Sequence, residues 1–186
     1  MGTRPRFELL VVATADGFIG TETAHNPSEW ASDEEQQLFF ASVDKADWSI
    51  MGRRTHEEAP RPDRRRIIFS TSARGLEWRS PTQLWADPAR SSIDEMIEAV
   101  STRHPARTCL ILGGTRVHDW FFAHGLIDRV VLTVEPLTFG AGMPIVSHIA
   151  GEPSSVMREL GFTMTESRIL NGGGTRLETY EPSSRD

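Results

Sequence analysis

Two groups of residues in this chain have the types and spacing to do chemistry. The first is Gly113-Gly114 in CLILGGTRV, where an apolar run passes through adjacent glycines into a helical pattern. Glycine lets the backbone approach a ligand closely, and the first N–H groups of the helix, which have no intrahelical partner, point at an anion. Such a turn makes a phosphate seat, and a tightly packed strand-to-helix loop has the same look. The second is Glu35. On a helix opened by Ser32, positions 35, 38, 39, 42 and 46 share one stripe, so Glu35 starts a face continued by Leu38, Phe39, Ser42 and Ala46. A carboxyl group there reaches into a cavity and can relay a proton. The same residue also completes a Ser32-x-x-Glu35 capping box, a role that needs no catalysis.

The elements that must position these groups alternate. Phe7 to Thr14 is a nearly continuous apolar run, as expected for a strand covered on both faces. Ser32 opens a helix to about Asp44. Trp48 to Gly52 is a short strand, and a short helix from Arg53 ends at Pro60. Arg66 to Ser70 and Gln83 to Ala86 are strands, and Ser91 to Arg103 is a helix. Thr108 to Leu112, a helix from Arg116 to Ala123 and a strand from Asp128 to Glu135 follow. Phe162 to Leu170 and Thr175 to Glu181 alternate at period two around Asn171-Gly-Gly-Gly174, an antiparallel hairpin. The expected fold is an α/β three-layer sandwich: a mostly parallel central sheet, helices on both faces, and a C-terminal antiparallel hairpin. With 186 residues and no linker or repeat, one domain over 1–186 is expected, with 182–186 a frayed tail.

Composition excludes several classes. A net charge of −6 argues against a nucleic-acid partner. No run of 18 apolar residues occurs and Glu8 interrupts the first apolar stretch, so no membrane partner and a cytoplasmic setting are expected. A single cysteine, Cys109, sits in an apolar strand and reads as buried filler. The six histidines show no ligand spacing, so no metal is expected; His118 and His124 read as packing or helix-surface residues. Gly140-Ala-Gly142 does not make a G-x-G-x-x-G turn, and neither a Walker sequence nor a G-x-S-x-G elbow is present.

Four segments in register carry a resemblance. They are ATADGFIG after the first strand, Met51-Gly52-Arg53-Arg54-Thr55, Ile67-Ile68-Phe69-Ser70-Thr71-Ser72, and Ile111-Leu112-Gly113-Gly114-Thr115-Arg116-Val117. Together they resemble the dihydrofolate reductase fold. Leu126-Ile127-Asp128-Arg129 and the Pro136 to Pro144 loop look closer to the C-terminal reductase domain of the bifunctional riboflavin-biosynthesis deaminase/reductase. The likeness covers Phe7 to Glu181. The zinc deaminase half is missing, since neither H-x-E nor P-C-x-x-C occurs.

The resemblance implies an NADPH-dependent oxidoreductase acting on a small heterocycle, most like 5-amino-6-(5-phosphoribosylamino)uracil reductase, and a homodimer. Met51, Gly52 and Thr55 would face the pyrophosphate from one side, and Leu112, Gly113, Gly114, Thr115, Arg116 and Val117 from the other. The two glycines of such a pair are often joined by a cis bond. Arg53 and Arg54, with Ser70, Thr71 and Ser72, would grip the 2′-phosphate, since a guanidinium fork gives paired charge-assisted hydrogen bonds. Positive charge at a helix start otherwise opposes the helix dipole. Ala13, Thr14, Gly17 and Ile19 belong to the loop over the nicotinamide, with Asp16-Gly17 shaping its turn. Glu35 and Asp16 are the proton-relay candidates, and Trp30, Phe39 and Thr133 would line the substrate cavity. The basic run Arg64-Arg65-Arg66 reads as solvated.

The pattern breaks at Arg54-Thr55-His56-Glu57-Glu58-Ala59-Pro60, where riboflavin-type reductases carry a D-D-P-x-L-type stretch. Dihydrofolate reductase itself, another pterin or carbonyl reductase, and a nucleotide-binding scaffold without catalysis therefore stay open. For assembly, a helix that turns Val117, Trp120 and Phe121 inward leaves Phe122 on another face. There, and along Val130 to Val134, a partner would supply burial.

Overall fold

The computed structural model describes residues 4–22 and 25–184. Its frame is a nine-stranded sheet in the order β10-β11-β8-β1-β7-β3-β4-β6-β5. The strands are β1 (Arg6–Thr14), β3 (Trp48–Gly52), β4 (Arg66–Phe69), β5 (Leu76–Ser80), β6 (Gln83–Ala86), β7 (Thr108–Gly113), β8 (Arg129–Glu135), β10 (Phe162–Ile169) and β11 (Arg176–Pro182). From β8 through β6 all pairings are parallel; β11 on one side and β5 on the other run antiparallel. A separate ribbon pairs β2 (Phe18–Gly20) with β9 (Met143–Pro144).

The helices are α1 (Asp33–Lys45), α2 (Arg53–Glu58), α3 (Ile93–Ser101), α4 (Thr115–Ala123) and α5 (Pro153–Glu159). One sheet face packs under α3, α4 and α5, which contribute Met96, Val100, Val117, Phe121, Val156 and Met157 to the main core. The other face, with Leu10, Leu110, Leu112 and Val131, is covered by Leu38, Phe39 and Val43 of α1. The sandwich expected from the sequence is therefore present, because the central strands are apolar on both faces and each face finds a helix. No described helix is long and apolar enough to cross a membrane.

Several expectations need correction. β2, β5, β9 and α5 went unrecognised in the sequence: the first three are short or half-exposed, and α5 has only seven residues. β10 does not alternate, being exposed from Thr163 to Ile169 because it is the sheet edge. The tail is held rather than frayed as far as it is described. Pro182 lies in β11, and the Ser183 N–H donates to Gly161 O at 2.8 Å; residues 185–186 lie outside the described residues. Phe122, half-buried, packs edge-on against Phe162 at 5.5 Å between ring centres, so part of its burial comes from within the chain. Val130 to Val134 is likewise enclosed between β1 and β11. Cys109 is fully buried, and burial pushes its thiol up to about 12.

Candidate active site

β1, β3, β4 and β7, with the starts of α2 and α4, border a cavity of about 1170 Å³. At one end, α2 and α4 both begin on glycine, Gly52 and Gly114, and neither has a side-chain cap. By contrast α1 and α3 begin on Ser32 and Ser92, whose hydroxyls accept backbone N–H groups. The helix starts that open on the cavity thus expose their first N–H groups to whatever occupies it. A Cβ on Gly113, which has φ +100°, would stand 2.8 Å from the His118 ring; one on Gly52 would meet Val117 at 3.5 Å. Gly113 and Gly114 are joined by a cis peptide.

Basic and hydroxyl groups surround this glycine end. Arg53, Arg54, Thr55, Ser70, Thr71, Thr115 and Arg116 all line it. Arg53 pairs with Glu57 at 3.5 Å on the exposed side of α2. The Ser70 hydroxyl shares a hydrogen bond with Ser72 Oγ at 2.8 Å and accepts the Ser72 N–H at 3.2 Å, which shapes the turn after β4. The Thr115 hydroxyl donates to Pro144 O at 2.6 Å, tying the helix start to the β2–β9 ribbon.

Two lining residues are buried: for His118 this is the packing alternative expected from the sequence, and for Arg66 it corrects the solvated reading. His118 is 1% exposed. Its Nδ1 lies 2.8 Å from Ile145 O, which can only accept, so Nδ1 carries the proton and Nε2 is an acceptor. Burial holds the ring below the usual histidine range and hence neutral, and Nε2, beneath Gly113, has no protein partner. Arg66 is not solvated: it is buried, with Nη1 against His56 Nδ1 at 3.0 Å and Ala59 O at 2.8 Å. Burial, with Arg61 and Arg64 nearby, depresses its pKa. The neighbouring Arg64 pairs with Asp44, and Arg65 Nε donates to Asp47 O at 2.7 Å.

At the other end stands Glu35, 4% exposed, with Leu10, Val12 and Phe39 also in the wall. Burial, followed by the charge of Glu135, raises its carboxyl to about 7. The capping box expected for it is only half made. Ser32 Oγ accepts the Glu35 N–H at 3.3 Å, but the Ser32 N–H goes to Glu135 Oε1 at 2.8 Å. A partner 103 residues away has taken the place of the Glu35 side chain, which leaves that carboxyl to the cavity.

Asp16 is placed elsewhere. Its carboxylate accepts the Thr14 hydroxyl at 2.5 Å and the N–H groups of Phe139 at 3.2 Å and Gly140 at 2.8 Å. Partial burial opposes ionisation, but these bonds outweigh it and lower the pKa, so Asp16 is an ionised loop clamp outside the cavity wall. Thr14 accepts the Phe18 N–H at 3.0 Å, and Gly17 packs against Gly151, where a Cβ would lie 1.9 Å from the carbonyl. Ile19 reaches the cavity; Ala13 is core. Trp30 packs edge-on to Phe139 at 5.2 Å; it lies outside the lining, and so do Ser72 and the buried Thr133. Glu135 was missed as a site residue, although a lone acid ending the apolar run VVLTVE before Pro136 was a visible signal.

Comparison with known proteins adds three findings. The family model described as the RibD C-terminal domain matches residues 9–170. A Shewanella sp. PV-4 protein assigned to riboflavin biosynthesis has a similar structure, with TM-score 0.68 and 16% identity over 96% of this chain and 99% of that one. So does Enterococcus faecalis dihydrofolate reductase in complex with NADP(H) and RAB-propyl, with TM-score 0.66 and 15% identity over 96% and 97%. A search of curated proteins found no sequence match.

Proposed function

The chain belongs to the RibD C-terminal domain family and is an oxidoreductase of the dihydrofolate reductase fold using a pyridine nucleotide; we propose that this nucleotide is NADPH and that the substrate is a small heterocycle. The reading rests on one arrangement: a buried carboxyl with pKa about 7 shares a cavity with two helix starts that lack side-chain caps.

The residues fit the nucleotide on physical grounds. Gly52 and Gly114 bring bare backbone to the cavity wall, Gly113 lies too close to His118 to carry a Cβ, and the starts of α2 and α4 supply donors for a pyrophosphate. Arg53, Arg54, Ser70 and Thr71 offer charge and hydroxyls for the 2′-phosphate, and Ile19 with the neutral His118 would bound the nicotinamide. NADPH held by these residues would supply hydride to the carbon of a C=N or C=O bond and be left as NADP⁺. The heteroatom of that bond takes its proton from Glu35, which regains one from water. Phe39 and Val12 give a heterocycle an apolar wall.

The substrate we favour is a ribosylaminopyrimidine of the riboflavin pathway, as the family implies. A pterin is the second reading, because Arg54 to Pro60 departs from the riboflavin-type pattern. The protein has five tryptophans, so bound NADPH should quench their emission. Titration by fluorescence, then loss of NADPH absorbance against a panel of ribosylaminopyrimidines and pterins, tests the proposal. Turnover on one class selects the substrate. NADPH binding without turnover on any panel member would favour a scaffold, and no NADPH binding would overturn the reading.

A further inference from the structure

Glu135 closes β8 on the sheet face that α1 covers, and only 3% of it is exposed. Both of its carboxylate oxygens are in use. Oε1 accepts the Ser32 N–H at 2.8 Å, and Oε2 accepts the Thr175 hydroxyl at 2.7 Å. Neither donor is a cation, so the charge of Glu135 is stabilised by dipoles and by the start of α1 rather than cancelled. Ser32 is the N-cap of α1, and Glu35 sits one turn beyond, its N–H on Ser32 Oγ. Had Glu35 closed the capping box itself, its carboxylate would be committed to the Ser32 N–H. Glu135 fills that role instead.

We infer that Glu135 is a positioning residue for the reductase reaction: it anchors the N-cap of α1 and sets a buried negative charge beside Glu35, so that the Glu35 carboxyl carries its proton into the cavity. The inference rests on Glu35 as proton donor. Other charged groups around the pair are turned away or engaged. Glu34 accepts from Asn171 Nδ2 at 2.9 Å on the exposed side of α1. Asp16, beyond the Thr14 that pairs with Glu135, is bound to the 139–140 loop. Arg176, Glu178 and Tyr180 of β11 stand opposite Val134, Leu132 and Val130, on the other face of the sheet. Glu22, His25 and Asp44 also line the cavity; His25 accepts the Thr21 N–H at 3.1 Å and Asp44 pairs with Arg64. The charge that lifts Glu35, after burial, is that of Glu135.

The test is Glu135→Gln in the full chain, which keeps an acceptor for the Ser32 N–H and removes the charge. Carbon-13 carboxyl titration of Glu35 without substrate should move to lower pH, though burial keeps it above an ordinary glutamate. The alkaline limb of the kcat/KM profile should follow, so turnover at pH 7 falls roughly 2- to 5-fold, the effect of lowering a pKa near 7 by half to one unit, while turnover at pH 5.5 is largely kept. Glu135→Asp keeps the charge with shorter reach and should titrate between the two; it decides the matter if the Gln variant does not fold. An unmoved Glu35 titration in a folded Glu135→Gln protein would overturn the inference and leave Glu135 a purely structural anchor. Full turnover in Glu35→Gln would overturn the donor role itself, and that outcome is separate from the titration.

Discussion

The two ends of the cavity use the start of a helix in opposite ways. At the glycine end, α2 and α4 begin on Gly52 and Gly114 with no side-chain cap, so their donors face the cavity. At the acid end, α1 begins on Ser32 with its hydroxyl on the Glu35 N–H and its own N–H on Glu135. Every helix start concentrates partial positive charge on backbone N–H groups lacking an intrahelical partner. Where no side chain answers that charge, the site suits a ligand that brings its own anion. Where a buried carboxylate answers it, the helix start is satisfied and the carboxylate acts on its neighbour instead. One end is built to receive charge, and the other to hold a neutral acid.

The contrast breaks most sharply at Glu35. Glu35→Gln keeps the side-chain shape and leaves the Ser32 and Glu135 contacts in place, so NADPH affinity should be unchanged. Turnover should fall by on the order of 10²-fold or more, the usual worth of a positioned acid. Stability should move the other way. Because the folded pKa, about 7, lies above the ordinary value of 4.5, the contribution of Glu35 is fully present below pH 4.5 and is lost as pH rises through 7. At pH 8 the wild type should therefore trail the Gln variant by up to roughly 3 kcal/mol, and at pH 4 the two should match. Denaturant melts at both pH values check the sign. A wild type that gains on the variant as pH rises would show that Glu35 is ionised when folded.

At the glycine end the next effect is steric. Gly113→Ala must place a methyl 2.8 Å from His118 Nε2 at φ +100°. Strain of about 1–3 kcal/mol should appear as lost stability in denaturant melts, and NADPH binding should weaken as the turn shifts to relieve it. The pH dependence of turnover at saturating cofactor should be kept, because the acid end is untouched. A displaced alkaline limb would show that the two ends are not independent. Arg53→Ala and Arg54→Ala should act on selectivity rather than placement. The wild type should prefer NADPH over NADH by roughly 30- to 150-fold, the worth of hydrogen bonds to a charged group, and each single variant should lose about tenfold of that. Equal binding of the two cofactors by the wild type would remove the 2′-phosphate assignment.

The difference between the ends also explains what could be read in the sequence. Gly52, Gly113 and their flanking strands are local: each turn and the helix that it opens lie within a few residues, so spacing reveals them. The central strands were legible for the same reason, as unbroken apolar runs. The acid end is assembled across the chain, with Ser32 bonded to Glu135 and Glu135 to Thr175, 40 residues further on. Sequence placed Glu35 on the apolar stripe but left its carboxylate open between the cavity and Ser32, since a capping box is visible and a distant competitor is not. Arg66 was misread for a like reason, and spacing could not choose between packing and surface for His118. Burial beneath α2 and beneath Gly113 depends on how layers close, not on neighbours in sequence.

The smallest expected effect separates the two jobs of Ser32. Its hydroxyl caps α1, while its backbone N–H binds Glu135, and only the first is lost in Ser32→Ala. Loss of an N-cap hydroxyl costs about 1 kcal/mol, which for a chain of this size lowers the thermal midpoint by roughly 2–4 °C. The Ser32 N–H, the Glu135 charge and the Glu35 carboxyl all remain, so the pH dependence of turnover should match wild type once cofactor and substrate saturate. Glu135→Gln makes the opposite pattern: it keeps the hydroxyl cap and moves the pH profile. If Ser32→Ala also moved the profile toward lower pH, the first turn of α1 would have shifted Glu35 away from Glu135. The hydroxyl, and not the backbone bond to Glu135, would then be what holds the two carboxyl groups together.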